Sequence, residues 1–402
     1  MGHSYGQEFK RGWRVVLGGA VGTGFGISAL PFYTLGVFVK PIAEATGWSR
    51  EDIQWGFAAM MIGMLFTSWI WGAAVDRFGA RPVAMVSQIG LGISMAALPS
   101  FAGSLNSFYF GWVLIALVGA GTTPVTWTRG ITGWFDKARG AALGLALVGT
   151  GFAGLLAPPA VTAIIGMAGW QAGYQVLGLS VLLVALPLVA LLFRDAPRAA
   201  DAAPLVGADR GEALLNYRFW VMLAVFTAVT FGVGGMIPNL VPLLTDRGLG
   251  AGEAALYAGF AGLAVITGRV VAGFLLDRFW APAVATVFLV VPALSCFLLA
   301  GSGLPPGPVI GLAAALIGLA AGAEFDLVAY MTSRYFGMKN YGFIYALQTV
   351  GMLLAGGIAP PIFGRIYDAT GSYDTALTAA GAIFVVAPLL LLTMGRYPAE
   401  AE

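Results

Sequence analysis

Long apolar stretches recur along almost the whole chain, and each is about as long as a membrane crossing. A helix needs roughly 20 mainly apolar residues to cross the hydrocarbon core of a bilayer. Charged or turn-rich breaks separate twelve such stretches, at residues 15–38, 54–75, 83–102, 106–128, 140–163, 172–193, 219–243, 255–276, 282–301, 308–331, 341–363 and 375–394. Helices satisfy their backbone hydrogen bonds inside a bilayer. The pattern therefore predicts an all-α membrane protein of twelve spans, numbered here in chain order.

The small number of charges supports this prediction. Only 10% of the residues are charged, against about 25% in a typical soluble domain, so most of the surface is expected to face something other than water. The net charge of +2 gives no indication of nucleic-acid binding. The single cysteine, Cys296, excludes an intramolecular disulfide, and the single histidine, His3, argues against a metal cluster or a histidine-based triad. We therefore expect no cofactor, no metal site and no catalytic residue.

Lysine and arginine residues are unevenly distributed between the two sides that twelve spans define. Four lie on one side, at Lys40, Arg50, Arg247 and Arg365. Sixteen lie on the other, at Lys10, Arg11, Arg14, Arg77, Arg81, Arg129, Lys137, Arg139, Arg194, Arg198, Arg210, Arg218, Arg278, Arg334, Lys339 and Arg396. The positive-inside rule predicts that this second side, with both termini, is cytoplasmic. The polar start of the chain shows no cleavable signal peptide, and we expect an inner membrane protein of a bacterium.

The first half of the chain is repeated in the second. Matching residues are 201 positions apart (273 minus 72, for example): Gly72, Asp76, Arg77 and Phe78 with Gly273, Asp277, Arg278 and Phe279, Pro41 and Gly47 with Pro242 and Gly248, and Trp134 with Tyr335. The predicted units are a six-span bundle at 1–193, a linker at 194–218 and a second bundle at 219–402. Bundles with an even number of spans share one topology, so an axis along the membrane normal is expected to relate them.

The loop between spans 2 and 3 carries the pattern G-x-x-x-D-R-x-G-x-R, at residues 72–81. It resembles the signature loop of the major facilitator superfamily, in which this loop helps to hold the two halves together on the cytoplasmic side. We expect Gly72 to allow close helix approach and Asp76 to face the positive end of a neighbouring helix. The predicted gating residues are Gly72, Asp76, Arg77, Arg81, Asp277 and Arg278. The second copy is degraded, with Trp280 and Pro282 at the positions of Gly79 and Arg81.

Arg269 lies near the middle of span 8. A cation at that depth raises the free energy of membrane insertion by at least about 2.5–3.5 kcal/mol, so it needs an aqueous cavity or an anionic partner. One interpretation is a structural ion pair with a carboxylate on a neighbouring helix. The other is an anchor for a carboxylate substrate, because a guanidinium binds two oxygens at once.

Two acidic residues, Glu324 and Asp326, lie in span 10. Positions two apart on a helix point about 200° away from each other, so the two side chains are expected to have different roles. One is predicted to pair with Arg129, Arg334 or Arg269, and the other to exchange a proton in the cavity. The alternative is that both are structural partners of arginines.

Several polar and aromatic residues interrupt otherwise apolar spans. Spans 1, 4, 7 and 10 line the central cavity in the superfamily that the loop resembles. The predicted substrate-binding residues are Arg269, Tyr33, Phe32, Thr123, Asn239, Tyr345 and Gln348, with Thr122 and Thr126 beside Thr123. Each of the polar ones could instead form a hydrogen bond between helices.

Two further segments resemble the branch of monocarboxylate transporters and oxalate:formate antiporters. They are Gly36–Pro41 with Gly47–Arg50, and Ser333–Gly337 with Tyr341–Tyr345. The resemblance implies that Arg269 engages the substrate carboxylate. Three positions depart from the pattern: Val265 replaces an aspartate one turn before the arginine, Tyr33 replaces a lysine, and Gln348 replaces the second cation of oxalate carriers. One central cation favours a monocarboxylate over a dicarboxylate.

The sequence thus predicts a secondary carrier of a small monocarboxylate, such as lactate or pyruvate, that works by alternating access with proton symport. Alternatives are an oxalate/formate-type anion exchanger, an exporter of drugs or other organic solutes with the same fold, and, in a different class, a membrane sensor or receptor. The expected partners are the carboxylate, protons and the lipid bilayer, and the expected state is a monomer. No set of groups typical of an enzyme is visible.

Overall fold

The computed structural model describes residues 5–135, 138–195, 207–301 and 303–398. These residues form helices and no strands. The α-helices are α1 Tyr5–Gly24, α2 Leu30–Thr46, α3 Arg50–Phe78, α4 Ala80–Ala97, α5 Leu105–Gly119, α6 Pro124–Thr132, α7 Arg139–Ser180, α8 Leu186–Leu192, α9 Arg210–Leu215, α10 Tyr217–Asp246, α11 Ala251–Leu276, α12 Ala281–Val290, α13 Pro292–Leu299, α14 Gly307–Phe336, α15 Tyr341–Thr370 and α16 Asp374–Leu389. Short 3₁₀ or π segments belong to four of the spans. Leu98–Phe101 and Leu390–Met394 follow α4 and α16, while Ala120–Thr122 connects α5 with α6 and Val181–Ala185 connects α7 with α8.

Among the described residues, ten helical runs are long and apolar enough to cross a membrane. One of them, Arg139–Leu192, has 54 residues and would be about 80 Å long, far more than one crossing of about 30 Å. It turns at Gly169, whose φ of 82° and ψ of 169° belong to a region open essentially only to glycine. This run therefore forms spans 5 and 6. With span 1, formed by α1 and α2, the count is twelve, as predicted.

The remaining spans follow in chain order. Span 2 is α3, span 3 is α4 and span 4 is α5 with α6, while spans 7 and 8 are α10 and α11. Span 9 is α12 with α13, and spans 10, 11 and 12 are α14, α15 and α16. The boundaries predicted for the two halves and the linker stay predictions, and linker residues 196–206 lie outside the described residues. So do Lys137 and Arg198 of the predicted basic side.

The internal repeat is preserved in individual hydrogen bonds. The indole nitrogen of Trp134 donates to the carbonyl of Arg194 at 3.0 Å, and the hydroxyl of Tyr335 donates to the carbonyl of Gly395 at 2.8 Å. Both residues of the second bond are 201 positions after those of the first. Each bond joins the end of the fourth span of its half to the end of the sixth. The repeat therefore extends from the sequence to the packing.

Span 3 and its counterpart, span 9, begin in related ways. The backbone N–H of Ala80 donates to the Asp195 carboxylate at 2.9 Å, and that of Ala281 donates to the Tyr397 hydroxyl at 2.9 Å. In both halves a side chain that follows the last span accepts a hydrogen bond from a free N–H at a helix start. A carboxylate does this in one half and a phenol in the other.

The two halves contact each other through spans 2 and 11, 5 and 8, and 1 and 7. A shift of six spans converts the first contact into the second, as expected for two bundles related by a twofold axis. Spans 5 and 8 approach at glycines: a Cβ placed on Gly154 would lie 2.9 Å from the Cα of Gly262. Spans 2 and 11 also approach at a glycine, because a Cβ on Gly357 would lie 2.6 Å from the Cβ of Met61.

These contacts are concentrated on the side opposite the basic loops. In span 2, the residues from Gln54 to Met64 are mostly buried, whereas Ser68, Trp69 and Ile70 are all exposed. Successive helix residues are about 100° apart, so three exposed neighbours leave most of the circumference uncovered. The halves therefore meet on the opposite side and diverge toward the basic side, where a central cleft opens.

Gly72 does not make the close helix approach that the sequence predicts. No described atom of a neighbouring helix lies within 4 Å of a Cβ built on it, and the same holds for its repeat counterpart Gly273. The physical reason is the divergence of the halves at this end of spans 2 and 8. A close approach at Gly72 stays a prediction for a conformation in which the basic side is closed.

Candidate functional site

Arg269 is nearly buried and only partly paired. Its side chain is 10% exposed, and its Nε lies 3.2 Å from a carboxylate oxygen of Asp326 in span 10. The same Nε donates to the carbonyl of Gly322 at 3.4 Å. Its Nη1 is buried and has no hydrogen-bond partner among the described residues. The guanidinium thus forms an ion pair and retains a free donor.

A free donor on a buried cation costs free energy, and an anion that binds it removes that cost. A buried donor without a partner costs about 1–3 kcal/mol, and more when the group is charged. An anion that entered the cleft would remove this cost through a charge-assisted hydrogen bond. The structural ion pair is therefore present at one nitrogen, while the anchor for a carboxylate substrate stays a prediction for the nitrogen that is unpaired.

Glu324 and Asp326 have different partners. Asp326 pairs with Arg269, whereas Glu324 is 4% exposed and accepts a hydrogen bond from the hydroxyl of Thr230 in span 7 at 3.2 Å. The charge of Arg269 also acts on Glu324. The two acids therefore join span 10 to two different spans of its own half.

Tyr33 brings the first half of the chain to this cluster. Its hydroxyl is near enough to Arg269 and Glu324 to interact electrostatically with both. Its ring lies against Gly154 of span 5, where an added Cβ would be 3.0 Å away, and the ring of Phe32 meets it edge-on at 5.1 Å. The site therefore includes side chains from both halves.

Two aromatic residues of span 11, Tyr341 and Tyr345, lie near the ion pair. The rings of Tyr341 and Tyr345 stack at 5.6 Å, and the charge of Asp326 acts on both hydroxyls. Tyr345 also interacts electrostatically with Arg269. The structure thus brings together Arg269, Asp326, Glu324, Tyr33 and Tyr345, five residues that the sequence analysis selected separately.

The helices of spans 1 and 4 are both interrupted, and the two breaks are joined by a hydrogen bond. The sequence analysis missed these interruptions. Residues 25–29 separate α1 from α2, and the backbone N–H of Ile27 in this break donates to the hydroxyl of Thr122 at 3.0 Å. Thr123 is extended, with ψ 156°, and α6 begins after it. Both α2 and α6 therefore begin inside the membrane region, where their N-terminal ends carry partial positive charge. Gly26 and Pro124 were the available signals in the sequence.

The predicted binding residues Asn239 and Gln348 have other partners. Asn239, near the end of span 7 opposite the basic loops, accepts hydrogen bonds from Gln54 at 2.8 Å and from Tyr373 at 3.2 Å. Gln348 is fully buried and donates to the carbonyl of Phe219, at the basic end of span 7, at 2.9 Å. These bonds place the two amides toward opposite ends of the second bundle.

The signature loop is held within its own half. Asp76 forms an ion pair with Arg129 at the end of span 4. The backbone N–H of Arg81 donates to Asp195 at 3.0 Å, and its guanidinium donates to the carbonyl of Ala190 at 2.6 Å. The expectation that Asp76 faces the positive end of a neighbouring helix stays a prediction. Asp195 accepts the hydrogen bonds at the start of span 3, because that start lies beside the end of span 6.

The other predicted gating residues lie at the basic ends of spans 2 and 8. The guanidinium of Arg77 is 5.2 Å from the ring of Phe78, and that of Arg278 is 3.5 Å from the ring of Phe274. Asp277 immediately follows the last residue of span 8. Each half thus has a cation–π contact on its basic side, but the two rings are not repeat counterparts, because the residue 201 positions after Phe78 is Phe279.

Comparisons with known proteins agree with this architecture. The family model described as Major Facilitator Superfamily matches residues 21–360. Human monocarboxylate transporter 11 is 30% identical over 410 residues, which cover 96% of this chain and 83% of that protein. A probable sulfoacetate transporter of Cupriavidus necator is 24% identical, covering 91% of this chain and 92% of that one. A crystal structure of a bacterial homolog of the human lysosomal transporter Spinster, inward-facing and unoccupied, matches with a TM-score of 0.71 at 18% identity, covering 99% of this chain and 100% of that one.

Proposed function

Because the chain belongs to the major facilitator superfamily, we propose that it is a secondary carrier of small monocarboxylates that works by alternating access. It is an integral membrane protein of a transporter fold, and human monocarboxylate transporter 11 is among its relatives. The finer assignment depends on one observation, the buried and unpaired Nη1 of Arg269.

The charge of the site favours a single carboxylate. Arg269 is the one basic residue that the sequence places far from both surfaces, and Asp326 already pairs with its Nε. A second carboxylate on the substrate would find no second cation at this depth and would lose its hydration. The neighbouring rings of Tyr33 and Tyr345 suit the apolar body of a short organic acid.

We propose that proton binding is coupled to transport through Glu324 and Asp326. A buried carboxylate costs free energy unless it is paired, and Glu324 has a neutral hydroxyl as its hydrogen-bond donor. Protonation of Asp326 would release the Nε of Arg269 for the substrate. The two acids thus provide a place for a proton next to the place for the anion.

We further propose that the basic side is cytoplasmic, that the membrane is a bacterial inner membrane and that the carrier acts as a monomer. The excess of lysine and arginine on the side of both termini supports the orientation. In that orientation the cleft of the present structure faces the cytoplasm.

The direct test compares Arg269→Gln with the unaltered carrier in proteoliposomes. We expect the variant to lose nearly all uptake of its carboxylate, because the charge that would bind the substrate is gone, while its thermal unfolding stays similar, because the glutamine amide still offers an N–H donor to Asp326. Thermal stabilisation of the purified carrier by a panel of short monocarboxylates identifies the acid. Normal uptake by Arg269→Gln would remove this residue from the mechanism.

The sulfoacetate relative supports a second candidate, an exchanger of anions that bear two acidic groups. Counterflow in liposomes loaded with sulfoacetate or oxalate, without a pH gradient, distinguishes the two functions. Rapid exchange of these dianions without stabilisation by any monocarboxylate would favour this second function.

A further inference from the structure

One arginine joins the two halves on the side opposite the basic loops. Arg50, the first residue of span 2, donates to the Asp246 carboxylate at the end of span 7 through Nη1 and Nη2, at 2.6 and 2.8 Å. Its guanidinium also lies 3.7 Å from the ring centre of Tyr367 in span 11 and donates to the hydroxyl of Tyr373 at 3.0 Å. All three partners belong to the other half of the chain.

A second layer lies one helical turn deeper. The amide of Gln54, also in span 2, donates to the side-chain oxygen of Asn239 at 2.8 Å. That oxygen also accepts from the hydroxyl of Tyr373 at 3.2 Å, and the amide nitrogen of Asn239 is bonded to the carbonyl of Gly235 at 2.8 Å. Tyr373 therefore connects the ionic layer to the amide layer.

The two layers close this side of the molecule tightly. The side chains of Arg50 and Asp246 are 11% and 15% exposed, and Gln54 is completely buried. Beside them the backbone N–H of Glu51 donates to the carboxylate of Asp368 at 3.0 Å, another bond between the halves. Separation of the halves on this side would break the bonds that Arg50, Glu51 and Gln54 make to the second half.

We propose that Arg50–Asp246 and Gln54–Asn239–Tyr373 form a two-layer gate that holds the carrier closed on the side opposite the basic loops. A polar gate suits repeated opening, since each group that loses its partner gains water, and the net cost of a hydrogen bond exchanged with water is small. Bidentate geometry fixes the relative position of the halves more precisely than apolar contact does. The gate therefore sets the balance between the two conformations of the cycle, whatever anion is carried.

The test measures distances across the gate in the full-length protein. Spin labels at Glu44→Cys and Arg365→Cys, two exposed positions of different halves on this side, are introduced with Cys296→Ser, which removes the only other thiol. We expect mainly short distances in the carrier with an intact gate. Arg50→Gln should raise the ratio of long to short distances about fivefold or more, in the range of coupling within one ion-pair network.

Arg247→Gln is the matched control. Arg247 lies on the same side with a side chain 10% exposed, but its partners Asp374 and the carbonyl of Leu299 belong to its own half. We expect this variant to leave the distances unchanged, and the exchanged pair Arg50→Asp with Asp246→Arg to return the short population. A shift with Arg50→Gln no larger than that with Arg247→Gln would overturn the proposal.

If Arg50→Gln does not fold, the same distances are measured in Asp246→Asn and in Gln54→Ala. Each removes one layer, and each is expected to raise the long-distance population while the other layer persists. Unchanged distances in both variants would show that neither layer holds the halves together, and would overturn the proposal. The readout needs no substrate, so it stands or falls separately from the monocarboxylate assignment.

Discussion

At the scale of single residues, the site combines one buried cation with two acids that differ in their bonding. Arg269 pairs with Asp326 through its Nε and has no partner at its Nη1, while Glu324 accepts a hydrogen bond from the Thr230 hydroxyl. The resemblance to monocarboxylate transporters implies an aspartate one turn before the arginine, where this chain has Val265. The ion-pair partner is present in the structure, but it comes from span 10 instead of span 8.

Glu324→Gln tests the proposed proton coupling. Glutamine keeps an oxygen acceptor for Thr230 but cannot release a proton. We expect the variant to lose uptake driven by a proton gradient and to retain counterflow exchange of the same acid, both measured in proteoliposomes.

Asp326→Asn is the companion variant of this experiment. It removes the charge that competes for Arg269, so we expect the substrate to bind more tightly, as measured by thermal stabilisation. Equal loss of driven uptake and counterflow in Glu324→Gln would assign Glu324 a structural role.

At the scale of helices, close contact between the halves depends on glycines. Gly262 of span 8 lies against the backbone of Gly154 and Leu155 in span 5. Small residues at such positions allow helices to approach within a bilayer. Gly144 is on the same span 5, but it has open space around it, because it lies nearer the basic side where the halves diverge.

Gly262→Ala is expected to destabilise the protein. The added methyl group would meet main-chain atoms of span 5, and overpacking of this kind costs about 1–3 kcal/mol. Thermal unfolding in detergent measures the effect as a lower midpoint. The control Gly144→Ala has room for its methyl group, and it should unfold at the same temperature or higher, because alanine favours a helix. Equal midpoints for both variants would contradict the close packing of spans 5 and 8.

At the scale of the whole molecule, the two bundles meet on one side and separate on the other. The gate residues join them opposite the basic loops, while Gly72 and Gly273 face open space. Alternating access requires the reverse arrangement at some point of the cycle. Substitutions on the open side should therefore affect transport more than the stability of the present conformation.

Gly72→Leu tests this asymmetry. The side chain has space in the present structure but would obstruct a close approach of spans 2 and 11 on the basic side. We expect an unchanged unfolding midpoint together with uptake reduced about tenfold or more, as for a blocked conformational step. Gly103→Leu, in a loop on the other side with equal space around it, should leave both properties unchanged. Normal uptake by Gly72→Leu would argue against closure at this position.

By itself the sequence determined the architecture and most of the central cluster. Apolar stretches of bilayer length specify twelve spans, and a 201-residue repeat specifies two similar bundles, because both signals are local or periodic. A lone Arg269 in an apolar span is conspicuous for the same reason, since its insertion is costly wherever the neighbouring helices lie.

Only the tertiary structure decided which groups are partners. The bonds between Arg269 and Asp326, between Asn239 and Gln54, and between Asp195 and the start of span 3 join residues far apart in the chain. Nothing in the periodicity of a helix states which neighbour it will face or on which side two bundles will touch. Those choices follow from glycine contacts and from the burial of polar groups, which exist once the spans have packed.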